Sequence, residues 1–215
     1  MSLIAENIIY LRSRLHGAKL IAVSKTRSSA EIEQALATGQ LVFGENKVQE
    51  AQQKFPMLRA TYPKLELHLI GALQTNKAVA AVELFDVIQT IDRPAVADAV
   101  AAAIQKTGHR PRLYMQINIG HEPQKAGVMP EEAEDFLNYC RHECGLAIDG
   151  LMCIPPHLQD PTLFFQQMRR MADAWHLPHL SMGMSDDFET AIACGATEVR
   201  IGTAIFGERL TPVSV

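Results

Sequence analysis

A single rhythm runs through this 215-residue sequence: a short apolar, β-branched run, a polar or glycine turn, then a stretch with helical spacing. Strand candidates fall at 19–26, 41–46, 66–72, 87–92, 113–119, 148–154, 179–185 and 198–206. Helical stretches follow at 29–38, from Lys47, from Thr75, from Pro94, from near Pro130, at 162–175 and at 187–194. Strands apolar along their whole length and joined by helical crossovers indicate a parallel sheet covered on its outer face. Eight such units close most naturally into a (β/α)8 TIM barrel, an α/β fold, rather than an open sheet. Leu3, Ile4, Ile8, Leu11 and Leu15 recur at helical spacing and predict an extra N-terminal helix. No linker, low-complexity run or charge block marks a second unit, so residues 1–215 are expected to form one domain.

The 47% hydrophobic and 20% charged content is that of an ordinary soluble globular protein, long enough to bury a sizeable core. A formal net charge of -4 supplies none of the broad attraction that nucleic acid binding needs, although a small basic pocket for an anion remains compatible with it. Glu6, Asn7, Arg12 and Arg14 interrupt the opening segment, which therefore lacks a signal-peptide core. No run approaches the roughly 18 apolar residues of a membrane span. Cys140, Cys144, Cys153 and Cys194 are too sparse for a disulfide framework and fit a reducing cytoplasm. The expectation is a cytoplasmic protein without a nucleic acid or membrane partner.

In this architecture function gathers at the carboxyl ends of the strands. Lys25 follows the apolar run 20–23 and should emerge where the first strand meets the pocket. A lysine amine titrates near pH ~10.4; desolvation or a neighbouring cation lowers that and frees a nucleophile for Schiff-base formation with an aldehyde. From position alone, a strand-end lysine reaching to solvent is the simpler reading. Near the other end of the chain, Gly202 permits close backbone approach, and Thr203 brings a hydroxyl suited to phosphate. Phosphate sites after strands seven and eight recur in these barrels, and Ser185 ends the seventh. Taken singly, Ser185 or Asp186 reads as a helix cap and Arg200 as a surface charge. Their co-occurrence with Lys25 on one rim favours an anionic, aldehyde-bearing ligand.

Other signals are weaker. The segment 140–144, CRHEC, lies in a predicted helix without a second ligand pair, and the eight histidines form no HxxxH or HExxH pattern, so no metal is expected. Serine-hydrolase and P-loop signatures are absent. Met182 and Met184 read as packing residues, one of which could line a cofactor face.

The motifs AVSKT (22–26), FGENKVQEA (43–51), HLIGALQTNK (68–77), TIDR (90–93), QINIGHEPQKAGV (116–128), GLMCIPP (150–156), LSMGMSDD (180–187) and VRIGTAIFGER (199–209) occur in order. Together they resemble the YggS/PROSC family of pyridoxal 5′-phosphate (PLP) homeostasis proteins. The resemblance implies a barrel like the N-terminal domain of alanine racemase, with PLP bound through Lys25. It further implies that Ser185, Gly202 and Thr203 hold the phosphate, that Arg200 faces the pyridine nitrogen, and that Asn46 lies beside the ring. Arg27-Ser28 stands where family members often have Lys-Pro, and Gly71-Ala72 where Gly-Pro is common; neither removes a proposed contact.

Two functions share that chemistry: a carrier or buffer of PLP, touching PLP-dependent apoenzymes transiently, and an amino-acid racemase or related PLP enzyme. An arginine at the pyridine nitrogen weakens the ring as an electron sink. A racemase needs a second base on the opposite face, which alanine racemase takes from a tyrosine of a C-terminal β-domain across the dimer. This sequence ends at Val215, and Tyr10, Tyr62, Tyr114 and Tyr139 fall at no predicted rim position. The expectation is a monomer that binds PLP without efficient turnover. Lys77 and Lys125 are candidates for a transient second acceptor, with simple pairing to acidic neighbours as the plainer alternative.

Overall fold

The computed structural model describes residues 2–157 and 159–208. Arg209, which closes the eighth motif, and the rest of the expected domain to Val215 lie outside the described residues. Eight parallel strands form a closed barrel in sequence order: β1 (Lys19–Val23), β2 (Val42–Glu45), β3 (Glu66–Leu69), β4 (Val87–Ile91), β5 (Arg112–Ile117), β6 (Ile148–Cys153), β7 (His179–Ser181) and β8 (Glu198–Ile201). The barrel shuts where β8 pairs with β1 in the register Lys19↔Glu198, Ile21↔Arg200. Helices cover it: α1 (Leu3–Arg12), α2 (Ser29–Leu36), α3 (Val48–Thr61), α4 (Ala78–Leu84), α5 (Pro94–Thr107), α6 (Ala133–Asn138), α7 (Thr162–Ala174), α8 (Phe188–Ala193) and α9 (Thr203–Phe206). No helix among the described residues is long and apolar enough to cross a membrane.

Among the described residues, N-cap side chains cap only the first two helices; Ser2 accepts from the Ala5 N–H on α1. Ser28 and Glu31 form a reciprocal capping box on α2, and Pro94 occupies the first turn of α5, where its missing N–H costs nothing. Helix α1 is the expected extra helix, three residues shorter than its apolar pattern. It packs on α2 and α9, and Asn7 Nδ2 donates to the carbonyl of Ile205 at 3.0 Å.

The first and third strands end three residues short of expectation, at Val23 and Leu69, and the seventh and eighth fall shorter still. The eighth strand stops at Ile201, and Gly202 leads into the helical turn α9, whose residues Ile205 and Phe206 donate to the Gly202 carbonyl. The apolar run 204–206 continues past the strand only because Ile205 and Phe206 are buried from a helix. The seventh strand ends at Ser181 rather than Ser185, because Gly183 takes φ +91° beside Ala191 and turns the chain.

At the amino end of the barrel, Glu66 Oε1 receives Lys19 Nζ at 3.0 Å, Arg112 at 2.9 Å and His68 Nε2 at 2.7 Å. Burial opposes ionisation of Glu66, but the hydrogen bonds from His68 and Lys19 and the Arg112 charge outweigh it and hold this carboxyl well below the usual range. At the carboxyl end, β2 and α3 brace the turn after β1. Arg27 N donates to the Ser24 carbonyl across Lys25 and Thr26, and Thr26 adopts φ +64° with its N–H on Glu50 at 2.5 Å. Lys54 Nζ reaches the Ser24 carbonyl at 2.9 Å, Glu50 at 2.9 Å and the wholly buried Glu45 at 2.6 Å. Ser24 Oγ also donates to Glu45 at 2.7 Å; burial still pushes the Glu45 carboxyl upward.

Two outcomes are expected. Lys54→Met strands the buried Glu45 carboxylate and should lower stability by about 3–5 kcal/mol, read as a fall in the denaturation midpoint; an unchanged midpoint would show that Glu45 needs no counter-ion. Because the folded value of Glu66 is depressed, its contribution is complete above the unfolded carboxylate pKa near ~4.3 and fades as pH falls below it. Denaturation between neutral pH and pH ~3 should therefore find a Glu66→Gln variant weaker at neutrality, with the gap to the native protein closing in acid. Parallel curves would contradict this assignment.

Candidate functional site

Alternation along each strand decides what enters the barrel, since residues two apart share a face. Val23 and Lys25 from β1 and its turn, Asn46 after β2, Ile70 after β3, Ile154 after β6, and Arg200 and Gly202 from β8 therefore converge at the carboxyl end. They line a cavity of about 260 Å³ together with Arg27, Met184, Ser185, Asp186 and Thr203. That is near the small end of ligand pockets, roughly 300 Å³ upward. All six residues singled out from sequence lie in this one cavity: Lys25, Asn46, Ser185, Arg200, Gly202 and Thr203.

Lys25, Arg27 and Arg200 line the cavity with one carboxylate, Asp186, and Arg27 is itself paired with Glu31 at 3.3 Å outside the lining. Arg200 is buried in the barrel, not a surface charge. One terminal nitrogen donates to Ser181 Oγ at 2.8 Å and the other to the Cys153 carbonyl at 2.7 Å. Burial lowers its pKa from the ordinary value, yet a guanidinium stays charged in proteins. It makes no ion pair among the described residues. The Cys153 thiol beneath it is pushed up to about 12, chiefly by burial, and is inert as a nucleophile.

Ser185 Oγ accepts the N–H of Ala204 at 3.3 Å, so the loop after β7 is tied to the start of α9. Neither Ser185 nor Asp186 caps α8; the Asp187 carboxylate instead accepts the Met184 N–H at 2.6 Å. A Cβ on Gly202 would stand 3.2 Å from the Val23 Cβ, so the close approach enforced there is to β1. Asn46 Oδ1 is buried without a hydrogen-bond partner among the described residues. Met184 lines the cavity, whereas Met182 is core.

Arg27 was visible from sequence only as a departure from the family pattern. It stacks over Phe206 at 5.7 Å and donates to the Gly207 carbonyl, which holds its charge at the cavity wall. Lys125 and Lys77 do not line this cavity. Lys125 borders an adjoining hollow that shares Asn46, Ile70 and Ile154, and it pairs with Glu122 and the Pro155 carbonyl. Lys77 lies in a further hollow with Lys47 and Gln74. No tyrosine lines the Lys25 cavity: among the described residues, Tyr114 donates to Glu198 inside the barrel and Tyr139 to Asp98 on the exterior.

Known proteins place these features in a family. The alanine racemase N-terminal domain model matches residues 1–210. The pyridoxal phosphate homeostasis protein of Pasteurella multocida is 41% identical over 202 residues, covering 89% of this chain and 86% of that one. Its Escherichia coli counterpart is 39% identical, covering 97% and 98%. PipY of Synechococcus elongatus, solved with PLP bound, superposes with a TM-score of 0.86 at 39% identity over 95% of this chain and 100% of PipY. Alanine racemase from Corynebacterium glutamicum shares the fold, with a TM-score of 0.73 at 21% identity, and this chain spans 62% of it. The chain belongs to the pyridoxal phosphate homeostasis family, built on the N-terminal barrel of alanine racemase.

Proposed function

We propose that this protein binds PLP as a Schiff base on Lys25 and serves in PLP homeostasis as a buffer or carrier, without efficient turnover. The observation that carries the reading is the single cavity joining Lys25 to Arg27, Ser185, Arg200 and Thr203 at the carboxyl end of the barrel. An amine, two hydroxyls and two guanidinium groups suit a phosphorylated aldehyde, and Val23, Ile70, Ile154 and Met184 suit the faces of a flat ring. The unpartnered Asn46 Oδ1 is a further polar atom left for a ligand. PLP-bound PipY and the homeostasis proteins of Pasteurella and Escherichia coli support the same ligand here.

Each residue then has work to do. Ser185 accepts from Ala204 with its oxygen, so its hydroxyl hydrogen remains available to a phosphate oxygen beside Thr203. Arg27 adds charge at the wall nearest α9. The turn held by Glu50 and Lys54 aims Lys25, and Asn46 flanks the ring. PLP supplies an aldehyde for covalent capture and a ring able to withdraw electrons. Arg200, permanently charged, would face the ring nitrogen as the family resemblance implies; there it would disfavour protonation and so weaken that withdrawal. A racemase-type enzyme is the competing reading; it would need an acid–base group opposite Lys25, and no cavity-lining tyrosine offers one. The four cysteines are free thiols, which accords with a cytoplasmic location. A monomer that meets apoenzymes transiently completes the proposal.

Purified protein mixed with PLP should develop a visible absorbance band that borohydride abolishes, leaving a phosphopyridoxyl group on the Lys25 peptide. A colourless protein that takes up no PLP would sink the cofactor reading. Racemase or lyase turnover lost in Lys25→Ala would make the protein an enzyme instead. Simple pairing, as between Lys125 and Glu122, is the preferred account of Lys77 and Lys125; a transient acceptor role for either predicts that its alanine variant slows PLP transfer to an apoenzyme. Unchanged transfer from both would remove that role.

A further inference from the structure

The barrel interior beneath the cavity is crossed by a chain of buried polar side chains of which only Arg200 lines the cavity. Arg200 donates to Ser181 Oγ at 2.8 Å; Ser181 Oγ donates to Gln89 Oε1 at 2.7 Å; Gln89 Nε2 donates to Glu198 Oε2 at 3.2 Å and meets His68 Nδ1 at 2.8 Å. Glu198 Oε1 accepts the Tyr114 hydroxyl at 2.9 Å, and His68 Nε2 continues to Glu66. Ser181, Gln89, His68 and Glu198 are essentially without solvent contact. They come from β7, β4, β3 and β8, so only the closed barrel assembles them.

The direction of every hydrogen bond in this chain follows from one end. Arg200 only donates, so the Ser181 hydrogen goes to Gln89, which must present its carbonyl to Ser181 and its amide nitrogen to Glu198. Ser181 has one hydrogen and gives it to that carbonyl. Its lone pairs then face Arg200, and the guanidinium is pinned between Ser181 and the Cys153 carbonyl. A side chain in a dry interior has no water to replace a lost partner, so each member of the chain fixes the next.

We infer that Ser181 and Gln89 are positioning residues that hold Arg200 in the plane from which it faces the ring nitrogen of bound PLP. The inference rests on the PLP reading above. Neither residue lines the cavity, so each acts through Arg200. Without the Ser181 oxygen one guanidinium nitrogen loses its anchor, the plane rotates, and the ring nitrogen becomes free to take a proton.

The test uses native protein, Ser181→Ala and Gln89→Leu, with Ser181→Thr to restore a hydroxyl, all loaded with PLP labelled at the ring nitrogen. Thermal unfolding verifies folding; nitrogen NMR reports ring protonation, and titration gives the PLP dissociation constant. Ser181→Ala and Gln89→Leu should each shift the ring-nitrogen signal toward the protonated form and weaken PLP binding about 2- to 10-fold, the range of one lost hydrogen bond. Ser181→Thr should return the signal toward native. Should Gln89→Leu fail to fold, the single-hydroxyl Ser181→Ala variant decides. A folded variant with native ring-nitrogen signal overturns the inference even if its affinity falls, since that marks a purely structural role, and leaves the PLP reading intact. Native protein that binds no PLP overturns both.

Discussion

The parallel pairing of β8 with β1 brings the two ends of the sequence to one rim, and its register decides what meets there. Because Ile21 lies opposite Arg200, the turn that carries Lys25 stands above the point where Arg200 and Gly202 enter the barrel. A slip of one residue would turn Arg200 outward and put Ile201 in its place. The ligand cavity is thus a product of barrel closure: no local segment contains it, and it forms only once the sheet is complete.

Closure also creates an interior to be filled, and this barrel fills it unusually. The common solution is layers of branched apolar side chains. Here Gln89, Ser181, His68, Tyr114 and Glu198 occupy the middle, between an apolar wall outside the strands and the cluster of Lys19, Glu66 and Arg112 at the amino end. Buried polar groups of this kind add little net stability compared with well-packed hydrocarbon. Their worth lies in directionality, because a hydrogen-bonded core admits one arrangement where a greasy one admits several. Burial and the Glu198 charge push the Tyr114 phenol upward, which keeps it a donor and keeps that arrangement unique.

The fold was legible because strand and helix periods alternate cleanly, and the rim residues because a barrel presents strand ends to its ligand. Lys25, Arg200 and Thr203 fall on that rim, but position alone favoured a lysine reaching to solvent and a surface arginine, and only their co-occurrence and the family motifs marked them as a site. What escaped was whatever depends on which residue sits across the barrel. Gln89 and Ser181 look like stray polar residues in apolar strands until β4 and β7 face each other. Glu45 and Lys54 lie on adjoining elements, yet nothing in their spacing shows that the lysine reaches back under the turn of β1. The eighth strand was read too long because an apolar run of three residues carries no period of its own, and the supposed cap at Ser185 proved to be a tie from the loop after β7 to the start of α9.

Thr26 stands beside the lysine in a left-handed backbone conformation, which a β-branched residue enters only at a cost. Glu50 and the Ser24 turn hold it there. Glycine at that position would remove the cost and also the stiffness of the corner that aims the lysine. Stability and aim therefore pull in opposite directions at residue 26, and a chain bred only for heat resistance would drift away from the residue found here.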